Sequence, residues 1–167
     1  MKIIGICGSP RKGNSEFILR TALDSAKENG AEVDLILLRN LNVKFIGREM
    51  PDDFNQILPK IIKADGIIFA SSCYYDMITP QLLNIIDRLD SHADALKNKK
   101  VGIIITGAGD FKSSAKNAVD YLKRVCKIYK MGVVGVVFGK ADKAEEISKN
   151  SEAILQAKKL GKELSQQ

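Results

Sequence analysis

Five apolar runs of strand length recur along the chain with helical segments between them, and this alternation limits the fold more than any other feature. The runs are KIIGIC (2–7), EVDLILL (32–38), GIIFAS (66–71), VGIIIT (101–106) and VVGVVF (133–138). They are rich in Ile and Val and lack strict polar alternation, which predicts strands covered on both faces.

The segments between them carry apolar residues at helical spacing. The first has Ile18, Leu19, Ala22, Leu23 and Ala26 and stops at Asn29-Gly30, a good C-terminal signal. The second follows residues 51–53 with Phe54, Ile57, Leu58, Ile61 and Ile62, and Pro59 is expected to kink or split it. The third opens on Thr79-Pro80, a cap followed by a first-turn proline, and carries Leu82, Ile85, Ile86 and Leu89. The fourth has Ala118, Leu122, Val125, Cys126 and Tyr129, and the last is expected from about Asp142, with Ile147, Ile154, Leu155 and Leu164.

A regular βα alternation predicts an α/β protein: a three-layer αβα sandwich around an open five-stranded parallel sheet. With 167 residues, 45% of them hydrophobic, the chain fills one core, so residues 1–167 read as a single domain. Five strands suit the order 2-1-3-4-5, which places a ligand site at the carboxyl ends of strands 1, 3 and 4.

Composition narrows the partners. The formal charge is +6, but the lysines are dispersed among acids. Only KNKK (97–100) forms a run, and it reads as a solvated turn before a strand. With 6% aromatics and no Trp there are few stacking surfaces for single strands, so no nucleic-acid partner is expected. No apolar run reaches the length of about 18 residues that could cross a bilayer, and no membrane role is expected. Cys7, Cys73 and Cys126 are odd in number and far apart, which fits free thiols in a reducing cytoplasm.

The three strand ends then deserve reading together. Strand 1 runs into Gly8, Ser9, Pro10, Arg11, Lys12, Gly13, Asn14 and Ser15, the outline of a P-loop with Asn14 where the lysine belongs. Such a loop suits a phosphate monoester held by helix-start N–H groups, hydroxyls and Arg11. It suits a nucleoside triphosphate poorly, because the lysine and a strand-end Asp for Mg²⁺ are missing. It also fails the dinucleotide pattern G-x-G-x-x-G, and the plain alternative is a tight strand-to-helix connection. Strand 3 ends in Ser71, Ser72, Cys73, Tyr74, Tyr75 and Asp76, where two tyrosines could pack on a flat ring. Strand 4 ends in Thr106, Gly107, Ala108 and Gly109, small enough for close backbone approach to a ligand.

GSPRKGNS (8–15) and SSCYYDMITPQLLNIIDR (71–88) together resemble the NAD(P)H-dependent FMN reductase and iron–sulfur flavoprotein group of the flavodoxin-like superfamily. The resemblance runs over roughly residues 1–138. It implies the flavodoxin-like strand order, bound FMN, NADPH or NADH as electron donor, and a homo-oligomer, dimer or tetramer. It also implies that Ser9 to Ser15 wrap the FMN phosphate while Ser72 to Asp76 and Thr106 to Gly109 edge the ring. The electron acceptor would be a small molecule or a protein. The alternatives are a flavodoxin-type carrier of electrons without its own substrate, or a binding protein that has lost tight flavin affinity.

The flavin itself does such chemistry, so no catalytic side chain is expected. Three departures from the group stand out. Residues 39–53 contain no cysteine, so no iron–sulfur cluster or other metal is expected. The group's strand 3 loop, S-P-x-Y-x-G, here has Ser72 for the proline and Asp76 for the glycine. The connection from strand 2 to helix 2 is also short. Cys73 reads as a small filler at the strand end, with a redox-sensitive place near the ring as the second reading. Asp87-Arg88 matches a pair expected to serve helix packing or a subunit contact.

Overall fold

In the computed structural model the chain is described over residues 1–48 and 51–166; Glu49 and Met50, within the expected connection from strand 2 to helix 2, lie outside the described residues, as does Gln167. The elements alternate as expected: β1 (Lys2–Cys7), α1 (Asn14–Glu28), β2 (Glu32–Leu37), α2 (Phe54–Lys63), β3 (Gly66–Ser72), α3 (Pro80–Leu89), β4 (Lys100–Gly107), α4 (Lys116–Ile128), β5 (Gly132–Lys140) and α5 (Ser151–Ser165). The sheet is parallel throughout, in the order β2-β1-β3-β4-β5. This is the flavodoxin-like arrangement.

Successive strand residues point to opposite faces, so the apolar runs feed two cores. Ile4, Ile6, Ile67, Phe69, Ile103 and Ile105 pack under α2, α3 and α4. Ile3, Cys7, Ile68, Ala70 and Ile104 pack under α1 and α5. The second face is closely built: Gly161 of α5 sits so near α1 that an added Cβ would lie 2.0 Å from the Ala22 carbonyl oxygen. Ser25 Oγ of α1 donates to the Lys158 carbonyl of α5 at 2.8 Å beside it.

Four sequence expectations need correction. The outer strands β2 and β5 are not covered on both faces; most of their residues are half-buried or exposed, because each has a neighbour on one side only. Pro59 does not split α2, which runs unbroken over ten residues. Pro59 and Asn55 both face solvent, so water can satisfy the Asn55 carbonyl that Pro59 leaves without an N–H partner. Helix α5 starts at Ser151 rather than near Asp142, since the Asn150 side chain accepts the Ala153 N–H as an N-cap.

The fourth correction concerns KNKK. Lys99 is buried, its Nζ donating to the Ile62 carbonyl at 2.8 Å and to that of Ala64. A cation at the end of α2 satisfies carbonyls that the helix leaves open, and burial draws the Lys99 ammonium below its usual range.

Two ion-pair clusters fix the loops. Glu16 is buried at the start of α1 against Arg20, at 2.8 Å, and Arg39, also at 2.8 Å. The Arg39 contact is an ion pair whose angle falls short of a hydrogen bond. The Asp52 side chain is fully buried against Arg88 of α3, Oδ2 to Nη1 2.7 Å. Burial pushes the Glu16 carboxyl up, but pairing with Arg20 and then Arg39 outweighs it and leaves the group below the usual range. The Arg88 hydrogen bond does the same for Asp52, against burial.

Carboxylates lowered in the folded chain add stability above their unfolded range, near pH 4, and lose it as pH falls through the folded values. Urea unfolding at stepped pH is therefore expected to show no contribution from these groups to any slope between pH 7 and 5, and a steep loss below about pH 4. That loss should shrink in Glu16→Gln. An equal acid slope in both proteins would show that Glu16 is not among the groups responsible.

Candidate functional site

The carboxyl ends of β1, β3 and β4 open into one cleft of about 320 Å³. The first wall is the β1–α1 loop. Gly8 lets it pass close to α3: a Cβ there would lie 2.6 Å from Thr79 Oγ1 and 2.7 Å from Leu82 Cβ. Helix α1 then begins at Asn14 with no side chain capping it among the described residues, so its first-turn N–H groups are open to an anion. Arg11 and Lys12 stand exposed beside them.

The second wall comes from β3. Ser71 Oγ accepts the Thr79 N–H at 2.9 Å and so closes the loop onto the start of α3. Tyr74 and Met77 exchange both backbone hydrogen bonds at 3.0 Å, with Tyr75 (φ 47°) and Asp76 (φ 64°) between them. This is the two-residue turn with positive φ at both central positions that usually takes Asn-Gly. Asp tolerates that region better than most residues because its short side chain can bond locally. The position where the related group carries glycine thus keeps glycine's backbone conformation with a carboxylate added.

A chain of hydroxyls crosses the floor of the cleft. Thr106 Oγ1 lies 2.7 Å from Ser15 Oγ, Ser15 Oγ 3.2 Å from Ser72 Oγ, and Ser72 Oγ donates to Ser9 Oγ at 3.1 Å. Ser9 in turn donates to the Arg11 carbonyl at 2.9 Å. The network links all three strand ends, and each hydroxyl can turn its proton toward a bound acceptor. Above it, Arg11 Nη2 donates to Tyr74 OH at 3.0 Å across the mouth.

Twelve of the sixteen residues singled out in the sequence line this cleft: Ser9, Arg11, Lys12, Gly13, Asn14, Ser15, Ser72, Cys73, Tyr74, Thr106, Gly107 and Ala108. Pro10, Tyr75, Asp76 and Gly109 do not line it, and Tyr75 is 100% exposed at the tip of its turn. The Asn14 side chain is occupied, donating to the Lys143 carbonyl at 2.9 Å and accepting the Ile147 N–H at 3.3 Å. It ties α1 to a fourth wall that the sequence reading missed, Ala141, Asp142 and Ala144 after β5. The signal was the small-residue Ala-Asp step after strand 5, read there as the start of a helix.

Cys73 donates its thiol to the Ser114 carbonyl at 2.8 Å. Burial, and then the Asp76 charge, push that thiol above its usual range, so it stays protonated and packs as a filler. Arg88 faces away from the cleft, in the clamp with Asp52. A second hollow of about 340 Å³ lies between α3 and α4, lined by Ile86, Asp87, Tyr121 and Arg124 among others. It is remote from the strand ends and carries none of the loops just described.

Cleft and sheet define the class: a flavodoxin-like α/β protein whose strand ends present a polar, anion-directed site. The NADPH-dependent FMN reductase family matches residues 1–146, and the chain belongs to it, which makes it an oxidoreductase. An iron–sulfur flavoprotein of Methanosarcina thermophila is 37% identical over 149 residues, spanning 81% of this chain and 78% of the relative. Among solved structures, a flavone reductase superposes with a TM-score of 0.80 at 25% identity, covering 99% of this chain and 62% of that one. An NADH:FMN oxidoreductase superposes at 0.81, with 21% identity and coverage of 98% and 88%.

Proposed function

We propose that residues 1–167 act as one FMN-binding domain that passes electrons from NADPH or NADH to a small-molecule or protein acceptor. The observation that carries this reading is the meeting, in one cleft, of the uncapped start of α1, Arg11 and the hydroxyl chain Ser9–Ser72–Ser15–Thr106. These donors fit a single metal-free phosphate. Bound FMN would supply the redox chemistry, taking a hydride from the nicotinamide and yielding electrons to an acceptor such as a quinone, a nitro compound, a metal ion or a protein carrier.

In this reading Ser9, Arg11, Lys12 and Ser15 hold the phosphate with the backbone of Gly13 and Asn14. Thr106, Gly107 and Ala108 border the ring from one side and Ser72, Cys73 and Tyr74 from the other. The Asn14 side chain keeps the fourth wall in place. Unpaired thiols, two of them buried, support a reducing cytoplasm. Exposed Phe45, Ile46 and Ile128 support assembly into a homo-oligomer. The three cysteines lie in different parts of the fold, and we propose no cluster.

The test is the visible spectrum of purified protein with added FMN, followed by anaerobic NADPH and then NADH. Flavin bands that shift on binding and bleach with a nicotinamide are expected. Protein that takes up no FMN would overturn the reading, and protein that binds FMN but is bleached by neither nicotinamide would leave a carrier rather than a reductase.

A further inference from the structure

We infer that Arg11 and Tyr74 form a clasp that ties phosphate recognition to the wall of the ring site, and that this clasp selects FMN over riboflavin. The inference rests on the FMN reading of the cleft. The two residues come from loops 63 positions apart, yet Arg11 Nη2 reaches Tyr74 OH at 3.0 Å, and both line the same cleft.

The geometry at each end is set independently. The Tyr74 backbone is pinned by its two bonds to Met77, so the turn fixes the point from which its phenol reaches Arg11. The turn into α1 is held by Ser9, whose hydroxyl donates to the Arg11 carbonyl and accepts the Arg11 N–H at 3.5 Å. Arg11 has no acidic partner among the described residues, so one edge of its guanidinium meets Tyr74 and the rest of its N–H fork is available.

A guanidinium carries five N–H groups in a rigid plane, so it can meet a phosphate along one edge while keeping the phenol on another. A lysine ammonium has no such fork. A phosphate at the start of α1 would hold Arg11 still, and Arg11 would in turn hold Tyr74 against the ring side. A flavin without a phosphate offers Arg11 no second anchor, so it still meets the Tyr74 ring but gains nothing from the Tyr74 hydroxyl. Tyr74 is therefore a positioning residue that acts through Arg11.

Fluorescence titration of wild type and variants with FMN and with riboflavin tests this. Tyr74→Phe keeps the ring and removes only the hydroxyl; it is expected to weaken FMN by roughly 3- to 10-fold and leave riboflavin unchanged. Arg11→Lys, which keeps the charge and loses the fork, should act in the same direction. In an Arg11→Ala background, Tyr74→Phe should cost nothing further.

Tyr74→Phe that weakens both flavins alike, changes neither, or adds fully to Arg11→Ala would overturn the clasp while leaving the FMN site standing. Wild type that takes up neither flavin would overturn the site reading and the clasp together. Tyr74 is 39% exposed, so thermal midpoints of wild type and Tyr74→Phe should agree, and the titrations then report binding alone.

Discussion

Arg88→Ala is expected to cost about 3–5 kcal/mol of stability, because it strands a charge that has no water to turn to. The Asp52 side chain is fully buried and that of Arg88 is 8% exposed; their closest atoms are 2.7 Å apart. Arg88 Nη1 also donates to the Lys44 carbonyl at 2.8 Å, and its guanidinium lies 4.3 Å over the Phe54 ring. The Asp52 carboxylate accepts the N–H groups of Lys44 and Phe54 as well. Removing the arginine therefore loosens the start of α2 and the segment before it at once. Urea unfolding should show a lower midpoint at an unchanged slope. Arg88→Lys should recover little, since an ammonium cannot bond the carboxylate and the carbonyl in one plane. A loss below about 1 kcal/mol in Arg88→Ala would mean that the pair is solvated and carries no such weight.

Gly161→Ala gives a second large effect, and here two physical rules disagree in sign. Helix propensity favours alanine by about 1 kcal/mol in a helix interior. The added methyl, however, would lie 2.0 Å from the Ala22 carbonyl oxygen, and 3.0 Å from both the Ala22 carbon and the Ala26 nitrogen, all of them backbone. Backbone cannot rotate away as a side-chain tip can, so α5 must lift off α1. Overpacking of this kind costs about 1–3 kcal/mol, and a net fall in the thermal midpoint is expected. A rise would show that the helices separate without penalty.

Some of this was legible in the sequence because it is written into single segments. The Ile and Val runs give the five strands within two residues, and Thr79-Pro80 marks the start of α3, where the Thr79 side chain accepts the Leu82 N–H. The three strand-end loops each announce themselves by small and polar residues, and twelve of the sixteen named positions meet in the cleft. Periodicity reports whether a residue buries its own side chain; it does not name a distant partner. The 36 positions between Asp52 and Arg88 hide their pairing, and nothing in KNKK reveals that Lys99 reaches the end of α2. Edge exposure of β2 and β5 is not written in their own runs alone; it follows only when the runs are read together with the expected order. The Asn14 bond to Lys143 spans 129 positions, which is why the fourth wall went unseen.

The family match ends at residue 146, yet α5 begins at Ser151 and supplies Ala153, Ala157, Leu160 and Leu164 to one of the two cores. A helix that lies wholly beyond the matched segment thus helps α1 to cover one face of the sheet. A chain stopped at residue 146 would keep every residue of the cleft and lose Ala153, Ala157, Leu160 and Leu164, leaving α1 alone to cover that face of the sheet. The residues that make the cleft end sooner along this chain than the residues that shelter the sheet beneath it.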